Sequence, residues 1–144
     1  MSLIFCYNEC QLHDNRMPMN DNIIIFEDDA ICVIDKPYGV IVNNAESVKS
    51  ETIQTWFEKK LDIRNWKLES EFAKKGGVVH RLDKDTSGVM VLAKTEGAYE
   101  ALKTQFLERT TKKTYIALVH GKMSQTSGII SAPIARHPKD KRKF

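Results

Sequence analysis

Apolar residues occur along this chain mainly in short β-branched runs, which predict strands. Residues 23–27 and 30–35 form two such runs, and Asp28-Asp29 separates them. We interpret the pair as an antiparallel hairpin. Residues 36–39, Lys-Pro-Tyr-Gly, predict a turn, because proline fixes its own φ and glycine tolerates positive φ. Residues 40–42 then resume an extended segment.

Three later runs, at residues 78–80, 89–93 and 115–119, are also strand-like, and residues 128–130 are interpreted as the start of another strand. The run at 89–93 has no polar alternation, which predicts that it is buried on both faces. Gly121 is expected to end the third run.

Two helices are predicted from apolar residues at helical spacing. The first would begin at a Ser50 cap and continue to about Asp62. Its inner face would consist of Ile53, Trp56, Phe57 and Leu61. The second would begin after Thr95, with an inner stripe of Ala98, Leu102 and Phe106. Residues 62–75 are polar, and Gly76-Gly77 would end any helix there. Together these elements predict an α+β fold, with a mixed, mainly antiparallel sheet and flanking helices.

The 144 residues suit one domain, which we place at 23–135, between an N-terminal arm (1–22) and a basic tail (136–144). A hydrophobic share of 42% and a charged share of 28% are typical of soluble globular proteins. Neither a signal peptide nor an apolar run of about 18 residues is present, so we expect a cytoplasmic protein without membrane contact. Cys6, Cys10 and His13 lack a second ligand cluster at zinc-site spacing, and no metal site is predicted there.

Charge is divided unevenly along the chain. Residues 1–72 carry 7 basic and 13 acidic side chains, whereas residues 73–144 carry 15 basic and 6 acidic ones. A cluster of Lys and Arg binds polyanions, because it releases condensed counterions from phosphates. The basic second half therefore favours RNA contact, while a solvated face and a mobile tail are the simpler explanations.

The densest group of reactive residues is the segment 80–88, His-Arg-Leu-Asp-Lys-Asp-Thr-Ser-Gly, which would form a polar loop before a buried strand. Arg81 and Lys84 flank Asp83, and nearby cations favour the ionised carboxylate that a nucleophile or base needs. An aspartate that caps the turn explains the same residue equally well.

Three other enzyme classes do not fit this loop. Asp83 and Asp85 are only one residue apart, whereas a glycosidase needs its two carboxylates on opposite sides of a sugar. A kinase loop requires a His-Arg-Asp triplet with further partners, but Leu82 interrupts the triplet here and the partners are missing. Two aspartates near Thr86 suggest an aspartyl-phosphate phosphatase, but the spacing is one residue short of the arrangement that this chemistry usually shows.

Residues 80–94 resemble the signature of the RluA-type RNA pseudouridine synthases, which modify ribosomal and transfer RNA. Residues 34–40, Ile-Asp-Lys-Pro-Tyr-Gly-Val, resemble the first motif of that family. Residues 113–121, Lys-Thr-Tyr-Ile-Ala-Leu-Val-His-Gly, resemble its third motif. The three motifs occur in the family's order and spacing, over about residues 23–136. The resemblance implies a pseudouridine synthase catalytic fold.

The resemblance also implies roles for individual residues. Asp83 corresponds to the catalytic aspartate that promotes breakage of the glycosidic bond of a target uridine. Tyr115 corresponds to a tyrosine that packs on the uracil, although a core aromatic residue is the simpler explanation. Arg81 corresponds to an arginine that occupies the space of the flipped base. Substrate binding is assigned to His80, Leu82, Thr86, Ser87, Gly88 and Lys113. Phosphate contacts are assigned to Lys84, Lys112, Arg136 and Lys139.

The implied reaction is the isomerisation of uridine to pseudouridine, which needs no redox step, so neither a cofactor nor a metal is expected. Family members usually continue to a Thr-Gly-Arg-x-His-Gln-Ile-Arg segment, which this sequence lacks. We therefore hypothesise a fragment of the catalytic domain whose unpaired sheet edges favour self-association. An inactive RNA-binding module of the same fold is the main alternative. A structural domain whose basic half binds an acidic protein is the third.

Overall fold

The computed structural model describes residues 2–3, 19–61 and 69–140. Its strands are β1 (Ser2–Leu3), β2 (Ile24–Glu27), β3 (Ile31–Lys36), β4 (Gly88–Ala93) and β5 (Thr114–Tyr115). Its α-helices are α1 (Ile53–Lys60), α2 (Glu71–Lys75) and α3 (Glu96–Leu107). The order β2-β3-β4 forms an antiparallel sheet, and β1 pairs with β5 in parallel. The α+β class predicted from the sequence is confirmed. Within the described ranges, no helix is long and apolar enough to cross a membrane.

The predicted hairpin is confirmed as β2 and β3. Asp28 closes its turn, because Asp28 Oδ1 accepts the N–H groups of Ala30 at 2.8 Å and Ile31 at 2.7 Å. These bonds hold the pKa of the Asp28 carboxyl below its usual value. The two β-branched runs therefore pair through a turn that the aspartate itself stabilises.

Strand β4 pairs with β3 along its whole length, from Gly88 opposite Lys36 to Ala93 opposite Ile31. The prediction that residues 89–93 are buried on both faces is wrong, since 65% of Val89 is exposed. Burial instead alternates, and Met90 and Leu92 face the core. One face of the antiparallel sheet is therefore packed, whereas the other is covered only in part.

The first helix begins two residues later than predicted. Thr52, rather than Ser50, is the cap, and its Oγ1 accepts the N–H of Thr55 at 3.0 Å. The helix ends at Lys60, and the predicted end at Asp62 lies outside the described residues. Ile53, Trp56 and Phe57 are buried as predicted, and Leu61 packs against the same core.

The extended segment after the 36–39 turn docks α1 onto the sheet. The N–H groups of Ile53 and Gln54 donate to the carbonyls of Ile41 at 3.0 Å and Val42 at 2.9 Å. Two of the free N–H groups at the helix N-terminus are thereby satisfied by backbone. The pairing fixes α1 beside the strand that leads to the turn.

A short helix that the sequence analysis did not predict, α2, precedes Gly76-Gly77. Ser70 caps its start, and Gly76 ends it in the left-handed conformation at φ 55°. Gly77, at φ 76°, passes so close to β4 that a Cβ there would lie 2.2 Å from the carbonyl oxygen of Ala93. Only glycine fits this approach.

The second predicted helix is confirmed as α3, with Thr95 as its cap. Its most buried residue is Tyr99, 3% exposed, which the predicted stripe did not include. Ala98 and Leu102 are partly buried beside Phe72, in a small cluster over the end of β4. This cluster covers one end of the otherwise open sheet face.

Several predicted strands are shorter than expected or do not form in the described residues. Val78 makes an isolated bridge to Leu92, and residues 79–80 do not extend it. The third run pairs only at residues 114–115, and Leu118 is 89% exposed. The expected strand at 128–130 is absent there, where Ile129 and Ile130 are each 95% exposed.

The main core lies between α1 and the packed face of the sheet. It consists of Cys32, Ile34, Val42, Ile53, Trp56, Phe57, Val78, Leu82, Met90 and Leu92. Met19, from the predicted arm, packs against it, and the Met19 N–H donates to Glu51 at 3.2 Å. Most of the remaining arm, residues 4–18, lies outside the described residues, as does the end of the basic tail, 141–144.

Candidate functional site

The 80–88 loop runs between the Val78 bridge and the first residue of β4. Leu82 is 8% exposed and anchors the loop in the main core, whereas Arg81 and Asp83 on either side of it are exposed. The turn is closed by backbone, since the N–H of Thr86 donates to the carbonyl of Asp83 at 3.1 Å. The loop thus presents polar side chains from a backbone attached to the core.

Lys36 ties this loop to the 36–39 turn. Its side chain is completely buried. Its Nζ donates to three main-chain carbonyls, those of Pro37 at 2.9 Å, Lys84 at 3.2 Å and Thr86 at 2.8 Å. The N–H of Gly39 donates to the same Lys84 carbonyl at 2.9 Å. Three of these four hydrogen bonds join the turn to the loop and hold the loop in one position.

The electrostatics of Lys36 connect it to the two loop aspartates. Burial lowers the pKa of Lys36 from 10.5 to about 8, while the negative charges of Asp85 and Asp83 oppose that change. At neutral pH the ammonium is therefore mostly protonated and can donate three hydrogen bonds. A buried cation lies beneath a loop that carries two exposed carboxylates.

Asp83 does not cap the turn through its side chain. Among the described residues, no hydrogen bond or ion pair of its carboxylate is found, and the side chain is exposed. The same holds for Asp85, two residues further along. Since the turn closes through backbone alone, the Asp83 carboxylate is open to a molecule from solvent.

His80, at the start of the loop, is held inside the protein. Its ring stacks on Phe106 of α3, with centroids 4.5 Å apart and an interplanar angle of 25°. Its Nε2 accepts the N–H of Val91 at 3.1 Å, which requires an unprotonated Nε2. Burial, and to a lesser extent the charge of Lys113, lowers the pKa of His80 to about 4. His80 is thus neutral near pH 7.

Lys113 and Tyr115 make different contacts, Lys113 with the Phe106 ring and Tyr115 with the main core. Lys113 Nζ lies 4.8 Å from the centroid of the Phe106 ring, so that ring contacts both Lys113 and His80. Tyr115 is half-buried and packs against the main core, of which Leu82 is a member. The first motif-like segment thus meets the 80–88 loop through Lys36, and the third is linked to it through Lys113 and the Phe106 ring that stacks on His80.

The other predicted site residues lie at the surface. Thr86 is half-buried, Ser87 is exposed, and Gly88 opens β4 at φ 122°. The four predicted phosphate contacts are exposed side chains, Lys84, Lys112, Arg136 and Lys139. Lys94, a further cation after β4, pairs with Glu27 at 3.0 Å and is used within the fold.

Sequence reasoning missed the roles of Lys36 and Phe106. A usable signal existed for Lys36, because side chains alternate along a strand and Lys36 shares a face with Cys32 and Ile34. Phe106 was assigned to the helix stripe, but nothing local indicated that its ring would contact His80. Among the described residues, no group of three or more His, Cys, Asp and Glu is placed to hold a metal ion. Cys6, Cys10 and His13 lie outside those residues.

Comparison with known proteins gives a consistent result. The sequence profile of the RNA pseudouridylate synthase family matches residues 30–144. An uncharacterized RNA pseudouridine synthase of Aquifex aeolicus is 40% identical over 131 residues, which cover 90% of this chain and 39% of the relative. The ribosomal large subunit pseudouridine synthase D of Nitrosomonas europaea is 40% identical over 116 residues, or 80% of this chain and 31% of the relative.

A more distant relative, ribosomal large subunit pseudouridine synthase C of Vibrio parahaemolyticus, is 32% identical over 85% of this chain and 36% of its own length. Among solved structures, human RNA Pseudouridylate Synthase Domain Containing 4 is similar, with a TM-score of 0.45 and 27% identity. That similarity covers 62% of this chain and 31% of the human one. The chain spans less than two-fifths of the length of each of these relatives.

Proposed function

Because this chain belongs to the RNA pseudouridylate synthase family, we propose that it isomerises a uridine of RNA to pseudouridine, with Asp83 as the catalytic carboxylate. One observation carries the proposal. Asp83 is an exposed carboxylate without a side-chain partner among the described residues, on a loop that buried Lys36 holds through main-chain carbonyls. Such an arrangement keeps a reactive group both accessible and positioned.

The proposed reaction exchanges one bond of the nucleoside for another. Asp83 promotes breakage of the bond between uracil N1 and ribose C1′, either by adding to the sugar or by abstracting a proton. The freed uracil rotates, and its C5 bonds to C1′. The proton on C5 then leaves, and N1 carries one instead. Atoms and electrons balance without an oxidant or an external energy source.

Other residues of the site are given supporting roles in this proposal. Tyr115 would pack on the uracil, and Arg81, which is exposed beside Asp83, would occupy the space of the extruded base. Thr86, Ser87 and Gly88 would contact the nucleotide through the surface of the loop. His80 and Leu82 would support the loop from inside the protein, where their described contacts lie. Lys113, which is exposed above the Phe106 ring, would contact the substrate.

We propose ribosomal RNA as the substrate, because two relatives are named for the ribosomal large subunit. Transfer RNA is the second candidate. The exposed cations Lys84, Lys112, Arg136 and Lys139 would contact phosphates. A cytoplasmic location and self-association through the exposed edge of β2, where Ile25 and Phe26 are more than half exposed, complete the proposal. Sedimentation of the chain over a range of concentrations tests the last point.

The test uses ribosomal RNA that carries tritium at C5 of its uridines, since pseudouridine formation releases that hydrogen to water. The wild-type chain is compared with Asp83→Asn and with Asp85→Asn. Asp85 is the matched control, because it is also an exposed carboxylate of the same loop without a side-chain partner among the described residues. We expect tritium release from the wild type and from Asp85→Asn, and none above background from Asp83→Asn.

Equal release from Asp83→Asn and the wild type would refute the assignment of Asp83. The alternative function, an inactive RNA-binding module, predicts a different result. All three proteins would then bind the RNA with an affinity that falls steeply with salt, and none would release tritium. Absence of salt-sensitive binding would favour a structural domain with a protein partner.

A further inference from the structure

The 36–39 turn exposes an aromatic ring beside the candidate site. Tyr38 is 61% exposed, although it follows completely buried Lys36 by only two residues. A tyrosine ring offers a large flat surface with few rotatable bonds, and unpaired nucleic-acid bases stack on such surfaces whatever their sequence.

The backbone on both sides of Tyr38 is fixed. The carbonyl of Pro37 accepts a hydrogen bond from Lys36 Nζ at 2.9 Å. Gly39, at φ 81°, donates its N–H to the carbonyl of Lys84 at 2.9 Å. The proline ring also limits φ immediately before the tyrosine. The point from which the ring leaves the backbone is therefore set by the fold.

The hydrogen bond between Gly39 and Lys84 also holds the backbone beside Tyr38 against the 80–88 loop. Tyr38 directly precedes Gly39, and Asp83 directly precedes Lys84. One inter-segment bond thus joins the neighbours of the exposed ring and of the exposed carboxylate. Lys84 itself is exposed and adds a cation to the loop directly after Asp83, which suits contact with a phosphate.

We propose that Tyr38 is a stacking site for an unpaired base that neighbours the target uridine. Extrusion of a uridine leaves an adjacent base without its stacking partner, and that loss opposes binding. An exposed ring on a turn that is hydrogen-bonded to the loop of the reacting carboxylate would replace the lost partner. The ligand is any purine or pyrimidine base of single-stranded RNA. The identity of the target rests on the proposed function, whereas the stacking itself does not.

Binding is tested with fluorescein-labelled oligouridylate and with a blunt RNA duplex of the same length. Tyr38→Leu removes the aromatic surface, and Tyr38→Phe keeps it but removes the hydroxyl. Phe26→Leu is the matched control, because Phe26 is 51% exposed on β2. We expect Tyr38→Leu to weaken oligouridylate binding roughly tenfold, as is typical for loss of one stacked base. Tyr38→Phe and Phe26→Leu should bind as the wild type does.

A second measurement does not depend on stability of the leucine variant. In Tyr38→Trp, the fluorescence of the new indole should be quenched when oligouridylate binds, relative to the background signal of the unmodified chain. The same quenching is expected in Tyr38→Trp combined with Asp83→Asn, because stacking does not require chemistry. Quenching in that double variant supports the stacking site even if the tritium assay contradicts the proposed function.

The proposal is overturned by any of four results. The first is an unchanged affinity of Tyr38→Leu for oligouridylate. The second is an equal loss in Tyr38→Phe, which would indicate a hydrogen bond of the hydroxyl in place of stacking. The third is an indole signal that saturating oligouridylate does not alter. An equal loss of duplex and single-strand binding by Tyr38→Leu also contradicts it, since paired bases have no free face.

Discussion

Replacing Lys36 with methionine tests whether the buried ammonium holds the 80–88 loop. Methionine has a similar length and is accepted in cores, so the substitution removes the donor without opening a large cavity. The carbonyls of Pro37 and Thr86 then lose the partner that Lys36 provides, whereas the Lys84 carbonyl keeps the N–H of Gly39. We expect a less stable protein with a loosened loop.

The magnitude follows from two opposing contributions. Three hydrogen bonds from a charged donor contribute about 1.5–3 kcal/mol each. Burial of the ammonium opposes them, and the fall of its pKa from 10.5 to about 8 corresponds to a cost of roughly 3 kcal/mol. The net loss in Lys36→Met is therefore about 1.5–6 kcal/mol, a large part of the stability of an average domain.

Urea denaturation followed by circular dichroism measures this loss, and Lys84→Met is the control. Lys84 belongs to the same loop, but its side chain is exposed, so its replacement should change the free energy of unfolding by less than about 0.5 kcal/mol. Equal midpoints for Lys36→Met and Lys84→Met would refute the role given to the buried ammonium.

The pH dependence gives an independent check with a definite sign. The pKa of Lys36 is lower in the folded chain than in the unfolded one, so the unfolded chain binds more protons between pH 8 and 10.5. Stability from this group therefore rises with pH across that window and is lowest below it. The difference between wild type and Lys36→Met isolates this contribution, and it should widen as the pH is raised from 8 to 10.5.

Three further predictions concern the scaffold. Gly77→Ala should lower the free energy of unfolding by about 2 kcal/mol or more, because its Cβ would meet a backbone oxygen at 2.2 Å with φ at 76°; Gly97→Ala, which meets nothing within 4 Å, should be neutral or stabilising by up to about 1 kcal/mol. Thr52→Ala should cost about 1 kcal/mol in the same urea assay, and Ser50→Ala should cost almost nothing, since Thr52 is the cap; the reverse order would restore the predicted Ser50 cap. NMR titration should place the pKa of His80 near 4, and stability should fall as the pH decreases from 6.5 towards 4 in the wild type but not in His80→Gln. A His80 that titrates near 6.5 would contradict its burial against Phe106.

Elements with strong local signals were predicted from the sequence. The hairpin of β2 and β3 has β-branched runs on both sides of an aspartate turn, and α3 has its threonine cap. Each signal depends only on neighbouring residues. The third apolar run has an equally strong signal, yet only Thr114–Tyr115 pairs within the described residues. A strand needs a second strand to pair with, and the residues of the run do not identify that second strand.

The candidate site likewise has one part that the sequence predicted and one part that it did not. Asp83 and its flanking cations were found because they are consecutive in the sequence. The contact of Lys36 with the carbonyls of Lys84 and Thr86 joins residues 48 and 50 positions apart. Every residue type supplies the same main-chain carbonyl, so such acceptors leave no trace in a sequence. Only the alternation along β3 indicates that Lys36 points inwards.

Lys36 binds only main-chain oxygens of the loop, so this support does not depend on the exposed side chains that the loop carries. Exchange of the carboxylate at 83 for an amide leaves every one of those bonds in place. Reactivity and support are therefore separable in this protein. New reactive groups can therefore be introduced at the exposed positions of the loop while Lys36, which supports the loop, is left unchanged.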